Sequence, residues 1–307
     1  MTAAAEGARV PGRLAANVAL GVAAFIWGSF FPVMAELLET WDPYSLTLAR
    51  LVCGTLMLVA LVLAIEGPRA YSTALPWRRL FLLGFVGFGL FCVLITFGIL
   101  HSGPIAASLV SATGPILAAF MAWAFAGRPP TRRTGWAALL AVAGGVIVVF
   151  RDGAGEVRGG EIFVLGSTAA FVWYSLKVPE CVPRLSPIVI TGHTVLAGTL
   201  VLIPVYALAA GAGWFEVRVD VSADGILMLV YLSVMAVGVA AVLWNYGIKR
   251  IRAEVAAMYS NLCPVFAVLV SVAFGITPNW AHGLGGAMIL AAILWVQRGA
   301  GGGLRTR

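Results

Sequence analysis

Charge is what this sequence has least of. Its 307 residues include 20 Lys/Arg and 13 Asp/Glu, which makes 11% charged against 61% hydrophobic. An ordinary soluble domain carries about 25% charged residues. So few ionic groups cannot cover a water-facing surface, and the chain must use lipid for much of its solvent. Carboxylates are missing from the middle of every apolar run: Glu36, Glu66, Glu161 and Glu254 all fall at run ends. No GxxxxGK[ST] phosphate loop is present, so the chain does not hydrolyse ATP by itself. The four cysteines, Cys53, Cys92, Cys181 and Cys263, show no CxxC or Cys/His spacing. They indicate neither a metal nor a disulfide and read as small apolar fillers. His101, His193 and His282 are far apart, which weighs against the metal or proton chemistry of a membrane enzyme. No cofactor, metal or catalytic residue is expected.

Long apolar runs are what the sequence has in abundance. About 20 apolar residues cross the hydrocarbon core as a helix, and ten such runs can be counted, near 15–37, 44–65, 78–100, 104–126, 134–150, 161–178, 187–210, 225–247, 253–275 and 281–297. Their length favours helices over the roughly ten-residue alternating strands of a barrel. The first run follows Arg9 and Arg13 like a secretory leader, yet it carries Trp27 and Pro32 and has an internal counterpart. It reads as a retained span. With the N-terminus in the cytoplasm and ten crossings, Arg151, Arg158 and Arg218 are the basic residues left outside, against sixteen inside. That positive-inside bias puts both termini in the cytoplasm. It also accounts for the net charge of +7 better than nucleic-acid binding does.

The chain repeats itself. "AAFIWGS" (Ala23–Ser29) returns as "AAFVWYS" (Ala169–Ser175), and Trp41–Leu61 aligns with Leu185–Val205. Gly89–Ile99 aligns with Gly238–Ile248, and Ala106–Pro115 with Val255–Pro264. The four matches are collinear at offsets of 144 to 149 residues. Five spans per copy is an odd number, so the second copy enters from the other face. The expected fold is an all-α membrane protein of ten transmembrane helices, built as two inverted five-helix repeats over 1–150 and 151–307 that form one integrated domain.

These residues resemble the drug/metabolite transporter superfamily and, within it, the EamA-like ten-helix exporters. The resemblance rests on "WGSFFPVM", "LTLARLVCGTLML", the stretch from "AASLVSATGP" to "AGGVIVV", and "LWNYGIKRIRAEVAAMYSNLCPVFAVLVS". It covers essentially the whole chain. It implies export of amino acids and other small metabolites from a bacterial-type inner membrane. The places after spans 4 and 9 where relatives often carry an acid read "AGRPPTRR" and "FGITPNW" here. Without a mid-span carboxylate to exchange proton for cationic drug, the expected substrates are neutral or zwitterionic, with aromatic or hydrophobic side chains tolerated. Multidrug export, a lipid-linked enzyme and a channel are the alternatives.

Polar and aromatic groups inside spans are the candidate substrate residues, because such groups normally face a bundle interior. They are Trp27, Phe31, Thr96, Ser111, Trp173, Tyr174, Lys177, Asn245, Tyr246, Tyr259, Ser260 and Asn261. Trp27 and Trp173 are repeat mates near mid-span, read as cavity lining rather than interfacial anchors. Pro32, Pro115 and Pro264 are candidate helix-breaking or gating positions. Each denies a hydrogen bond to the carbonyl four residues back, which frees Gly28, Ser111 and Ser260. Arg50 has three readings: snorkelling to the headgroups, pairing with Glu36 or Glu39 as an outer gate, or attracting a carboxylate. Ladders of small residues, Ala137/Ala141/Gly145 and Gly283/Ala287/Ala291, mark close packing, within one molecule in preference to a dimer. The partners expected are a small solute and the bilayer, with the protein a monomer or weak dimer.

Overall fold

The structure, a computed structural model, describes residues 13–72, 75–127, 129, 131–151, 159–251, 256 and 259–300. Among these every regular element is helical. The helices are α1 (Arg13–Thr40), α2 (Pro43–Glu66), α3 (Trp77–Ser102), α4 (Pro104–Ser111), α5 (Gly114–Ala126) and α6 (Arg132–Arg151). The back half supplies α7 (Gly160–Cys181), α8 (Pro187–Gly211), α9 (Ala223–Ile248), α10 (Cys263–Ala273) and α11 (Trp280–Ala300). Among the described residues, seven stretches are long and apolar enough to cross a membrane: α1, α2, α3, α4 with α5, α7, α8 and α9. Shorter apolar helices cover Cys263–Ala273 and Trp280–Ala292.

Local chemistry starts α2 and α8 in the same way. The Asp42 side chain accepts from the N–H groups of Tyr44 (3.0 Å) and Ser45 (2.8 Å), and Pro43 occupies the first turn. At the equivalent place Ser186 accepts from Val189 N–H at 3.3 Å, followed by Pro187. Each cap satisfies a donor that the first helical turn leaves free, and each proline stands where no N–H is required.

The prolines at 115 and 264 do more than bend a continuous helix. The chain leaves helical geometry at Ala112–Thr113 and restarts at Gly114, with Pro115 in the new first turn. It turns likewise at Asn261–Leu262 and restarts at Cys263, with Pro264 in the first turn. Turn bonds from Ala112 N–H to Ser108 and from Thr113 N–H to Val110 (3.2 and 3.0 Å) recover part of the lost ladder.

A π turn interrupts α3 at Phe85–Leu90 and α9 at Tyr231–Val239, positions that correspond at the 149-residue offset. Such one-turn π segments widen the helix and tilt its carbonyls off the regular ladder.

Packing joins the halves. α2 lies along α8 and along the π turn of α9, while α8 lies along the π turn of α3. α1 packs on α9 and α10; α7 packs on α3, α4 and α5; α6 pairs with α11. Gly54 and Gly198, repeat mates, both stand at close approaches between the halves. A Cβ on Gly54 would come within 3.1 Å of the Ser233 carbonyl and 2.8 Å of Val237, and one on Gly198 within 3.0 Å of the Gly84 carbonyl and of Phe88. Gly84 and Phe88 are themselves the offset mates of Ser233 and Val237.

The small-residue ladders are half right. Ala137 and Ala141 are buried, and a Cβ on Gly144 would meet the Gly285 carbonyl at 2.6 Å. On α11, however, Gly283, Ala287 and Ala291 face outward, while Ala281, Gly285, Gly286, Ile289 and Ala292 are buried. Small residues stand on both sides of α11, so spacing alone does not select the packed face. The Gly145 position falls outside the described side chains.

Candidate functional site

Two buried polar clusters stand at corresponding places in the two halves. In the first, Thr47 Oγ1 donates to Thr96 Oγ1 at 2.8 Å, and Thr96 donates to the Cys92 carbonyl at 2.8 Å. Arg50 Nη2 donates to the same carbonyl (3.3 Å) and to Thr96 (3.4 Å). In the second, Asn245 Nδ2 donates to Thr191 Oγ1 and to Tyr174 Oη, both at 3.0 Å, and the Tyr174 and Thr194 hydroxyls lie 3.4 Å apart. Thr191 is the offset mate of Thr47, Asn245 of Thr96, and Thr194 of Arg50. Thr96, Asn245 and Tyr174 are all fully buried. Buried polar groups in an apolar interior are held this way because an unmade bond costs more than a made one contributes.

Aromatic rings pack against the second cluster. Trp27 Nε1 donates to the Ala236 carbonyl in the α9 π turn at 3.0 Å. Its ring meets Phe171 edge-on at 5.2 Å and tilts against Trp244 at 5.3 Å. Phe171 lies 5.3 Å from Phe91, 5.7 Å from Trp244 and 5.9 Å from Tyr174. Tyr174 rests on Gly87 in the α3 π turn, where any Cβ would overlap the ring. Gly87 is the offset mate of Ala236. The twice-written "AAFxWxS" segment therefore docks on the π turn of the opposite half each time, through Trp27 in one copy and Tyr174 in the other. Ser29 bonds to Tyr231, and Ser175 accepts from Trp244 Nε1 at 3.2 Å.

The remaining candidates are dispersed. Trp173 and Tyr259 are half-buried against the same hydrophobic cluster as Trp27 and Tyr174. Phe31 and Met34 belong to a neighbouring cluster around α1, in the turn that contains the buried Pro32. Lys177 pairs with Glu180 at 2.6 Å, its side chain 30% exposed, near the end of α7 and away from the rings. Tyr246 lies under the Arg250 guanidinium, 3.6 Å from its centroid. Ser111, Ser260 and Asn261 are half-buried beside the two helix breaks, and the Asn261 carbonyl oxygen is buried without a hydrogen bond. Glu36 is half-buried and forms no ion pair with Arg50; the ion pair among the described residues is Lys177–Glu180. Arg50 instead turns inward, 1% exposed, with its guanidinium 5.0 Å over the Phe30 ring. The outer-gate pairing and the snorkelling reading are both replaced by this inward position, because α2 directs residue 50 towards α3 and α1.

Phe91, Phe171 and Trp244 are members of the aromatic cluster that single-residue reasoning passed over. Phe171 stood inside the repeated segment and Trp244 beside Asn245, so the repeat was the signal that contained them. Two hollows adjoin the interior. One of about 60 Å³ is lined by Pro43, Tyr44, Thr47, Phe97 and Tyr206 among others, and one of about 50 Å³ by Trp77, Phe81 and His193 among others. Each has room for a few waters.

The sequence profile of the EamA-like transporter family matches residues 14–150 and again residues 158–298. The chain belongs to the EamA-like transporter family. Relatives of this EamA protein include an "Uncharacterized transporter YrdR" of Bacillus subtilis, 26% identical over 83% of the chain and 82% of the relative. A "Probable terminal-alkyne amino-acid exporter" of Streptantibioticus cattleyicolor is 25% identical over 91% and 92%. A solved structure, described as the crystal structure of a protein, superposes with a TM-score of 0.67 at 22% identity, covering 92% of this chain and 96% of its own; it shares the fold. Membership makes this a multi-pass helical membrane protein of the transporter class.

Proposed function

We propose that this EamA-like protein is a secondary transporter that exports small metabolites, amino acids foremost, across a bacterial plasma membrane by alternating access. The observation that carries the reading is the duplicated polar core. Thr47–Thr96 and Thr191–Asn245 are hydrogen bonds between the same pair of repeat positions, made once in each half with donor and acceptor exchanged, and an aromatic cluster drawn from α1, α3, α7 and α9 packs beside the second. Two similar halves that hold one interior between them have two similar ways to pack, one open to each face. In this reading the chain crosses ten times as inverted five-helix repeats, with both termini in the cytoplasm as the arginine distribution dictates. Trp27, Phe171, Tyr174, Trp244 and Asn245 then line the path, and the breaks at Pro115 and Pro264 let α5 and α10 pivot at their first turns. The name of the Streptantibioticus relative supports amino acids as the solute class.

The test is flux in proteoliposomes of the purified protein, loaded with a broad metabolite panel. Saturable amino-acid efflux, reduced at least tenfold by Trp27→Ala and by Asn245→Ala, is the expected result. Absence of flux across the panel, or labelling that finds the two termini on opposite faces, overturns it.

A further inference from the structure

Arg50 is a cation without a counter-ion. Its side chain is 1% exposed, and its nitrogens reach one carbonyl and one hydroxyl, Cys92 and Thr96. Nε is buried with no partner at all. The described residues place no carboxylate against it. An arginine side chain keeps its proton under all ordinary conditions. A guanidinium taken out of water is stable only where an anion and further acceptors meet it. Neutral acceptors and the face of Phe30 meet part of that need, but the positive charge remains.

The repeat supplies an internal control. The position that corresponds to Arg50 in the back half is Thr194, and there the polar cluster is built from neutral groups alone, Thr194, Tyr174, Asn245 and Thr191, with the Asn245 Oδ1 left as a spare acceptor. The scaffold therefore does not need a cation at this place in the bundle. A solute with one anionic end and one apolar end, by contrast, needs a site whose two halves differ in this way.

We propose that the Arg50 guanidinium is the recognition group for the carboxylate of the transported solute. The inference rests on the transporter reading above and names the headgroup that the same interior selects. Thr47 lines the 60 Å³ hollow together with Tyr44, Phe97 and Tyr206, and its hydroxyl bonds Thr96, which bonds Arg50. Separation of α2 from α3 at this Thr47–Thr96 contact extends the hollow to the guanidinium. The carboxylate then takes the place of Cys92 and Thr96 as acceptor and uses Nε as well, in the two-pronged geometry that arginine offers. The aromatic cluster of Trp27, Phe91, Phe171 and Trp244 accepts the apolar end.

The experiment uses the intact purified protein and two readouts, thermal unfolding in detergent and efflux from proteoliposomes. The probes are the common amino acids, phenylpropionate, phenethylamine and phenylalanine methyl ester, each in methanesulfonate and in chloride buffer. The expected result is that at least one amino acid and phenylpropionate raise the unfolding temperature, while the amine and the ester need at least tenfold higher concentration. Arg50→Gln should abolish that discrimination, and Arg50→Lys should keep its direction with a smaller ratio, since a lysine offers one point charge. If Arg50→Gln does not fold, the comparison of acid with ester on the unaltered protein decides. Equal responses to acid, amine and ester overturn the proposal while leaving the transporter reading intact. So does stabilisation by chloride alone, which would make the partner an inorganic ion, and so does the absence of any acid-specific shift. Acid-specific stabilisation without flux of any compound supports the headgroup assignment and counts against transport.

Discussion

The hydroxyls of Thr55 and Thr199 lie 2.7 Å apart, although 144 residues separate them along the chain. The separation equals the repeat offset of α2 and α8, so these two side chains are each other's equivalents. The contact brings α2 and α8 together at the same place in each matched segment. Thr199 is fixed further by bonds to the Val195 and Leu51 carbonyls at 2.9 and 3.3 Å.

Thr55→Cys combined with Thr199→Cys, in a background without the four native cysteines, should therefore cross-link within one chain under mild oxidation. A protease cut between α6 and α7 that leaves a full-length band on a non-reducing gel is the expected outcome. Two separate fragments would show that these positions do not meet.

Gly198→Ala should be costly and Gly21→Ala should not. The added methyl at 198 would stand 2.8 Å from Gly89 N and 3.0 Å from the Gly84 carbonyl, whereas nothing lies within 4 Å at Gly21. Backbone cannot swing aside as a side-chain tip can, so an overpacking penalty of about 1–3 kcal/mol is expected at 198. Thermal unfolding in detergent measures both. A Gly198→Ala protein as stable as the unaltered one would remove the close approach of α8 to the α3 π turn.

Tyr174→Phe leaves Asn245 with its bond to Thr191 only, and Thr191→Val leaves it with its bond to Tyr174 only. Each should cost about 0.6–1.7 kcal/mol, the range for hydrogen bonds between membrane helices. The double variant should cost more than the sum, because the buried amide nitrogen then has no acceptor. Additive costs would show that a water takes over.

Asp42 ties the start of α2 to the segment before α9. Beyond its cap bonds, its second oxygen accepts from Arg218 N–H at 3.0 Å, and its own N–H reaches the Arg218 carbonyl at 3.0 Å. Asp42→Ala should lower stability by about 1–2 kcal/mol for the cap and raise amide exchange at Arg218. Asp42→Asn should recover the cap but not the bond to Arg218, because its amide NH2 replaces the oxygen that accepts from the Arg218 N–H.

Asp220 gives a pH prediction. Its carboxylate accepts from Ser222, through backbone N–H (2.8 Å) and hydroxyl, and from Thr40 (3.4 Å), and these bonds hold its pKa below the usual 3.8. A depressed carboxylate contributes stability that is present above its unfolded pKa and lost as pH falls through the folded one. The Ser222 amide should thus stay protected from exchange at neutral pH and lose protection only in strong acid, below about pH 4. Loss between pH 5 and 7 would contradict the assignment.

The apolar runs, the duplication and the two proline-marked breaks were legible because each is written in residue type: hydropathy, identity at a fixed offset, and a missing N–H. Thr96 and Asn245 were also legible, being polar where lipid would exclude them. Both π turns were not, since Phe85–Leu90 and Tyr231–Val239 are generic apolar residues whose hydrogen-bond register depends on what packs against them. The outward face of Gly283, Ala287 and Ala291 was hidden for a related reason, because α11 carries small residues all round. Arg50 was read for its charge, but its direction depended on how α2 is rotated, and tertiary packing sets that rotation.

The interlacing of the halves also bears on biosynthesis. α2 finds its main partner in α8, α3 in α7, α1 in α9 and α10, and α6 in α11. When the front half leaves the ribosome, none of these partners exists yet. At bacterial elongation rates the wait is roughly ten to thirty seconds, during which the grooves at Gly54 and Gly84 stay open to lipid. Insertion must then be followed by a late, concerted closing of one half into the other, and a nascent chain stalled after Arg151 would remain inserted but unfolded.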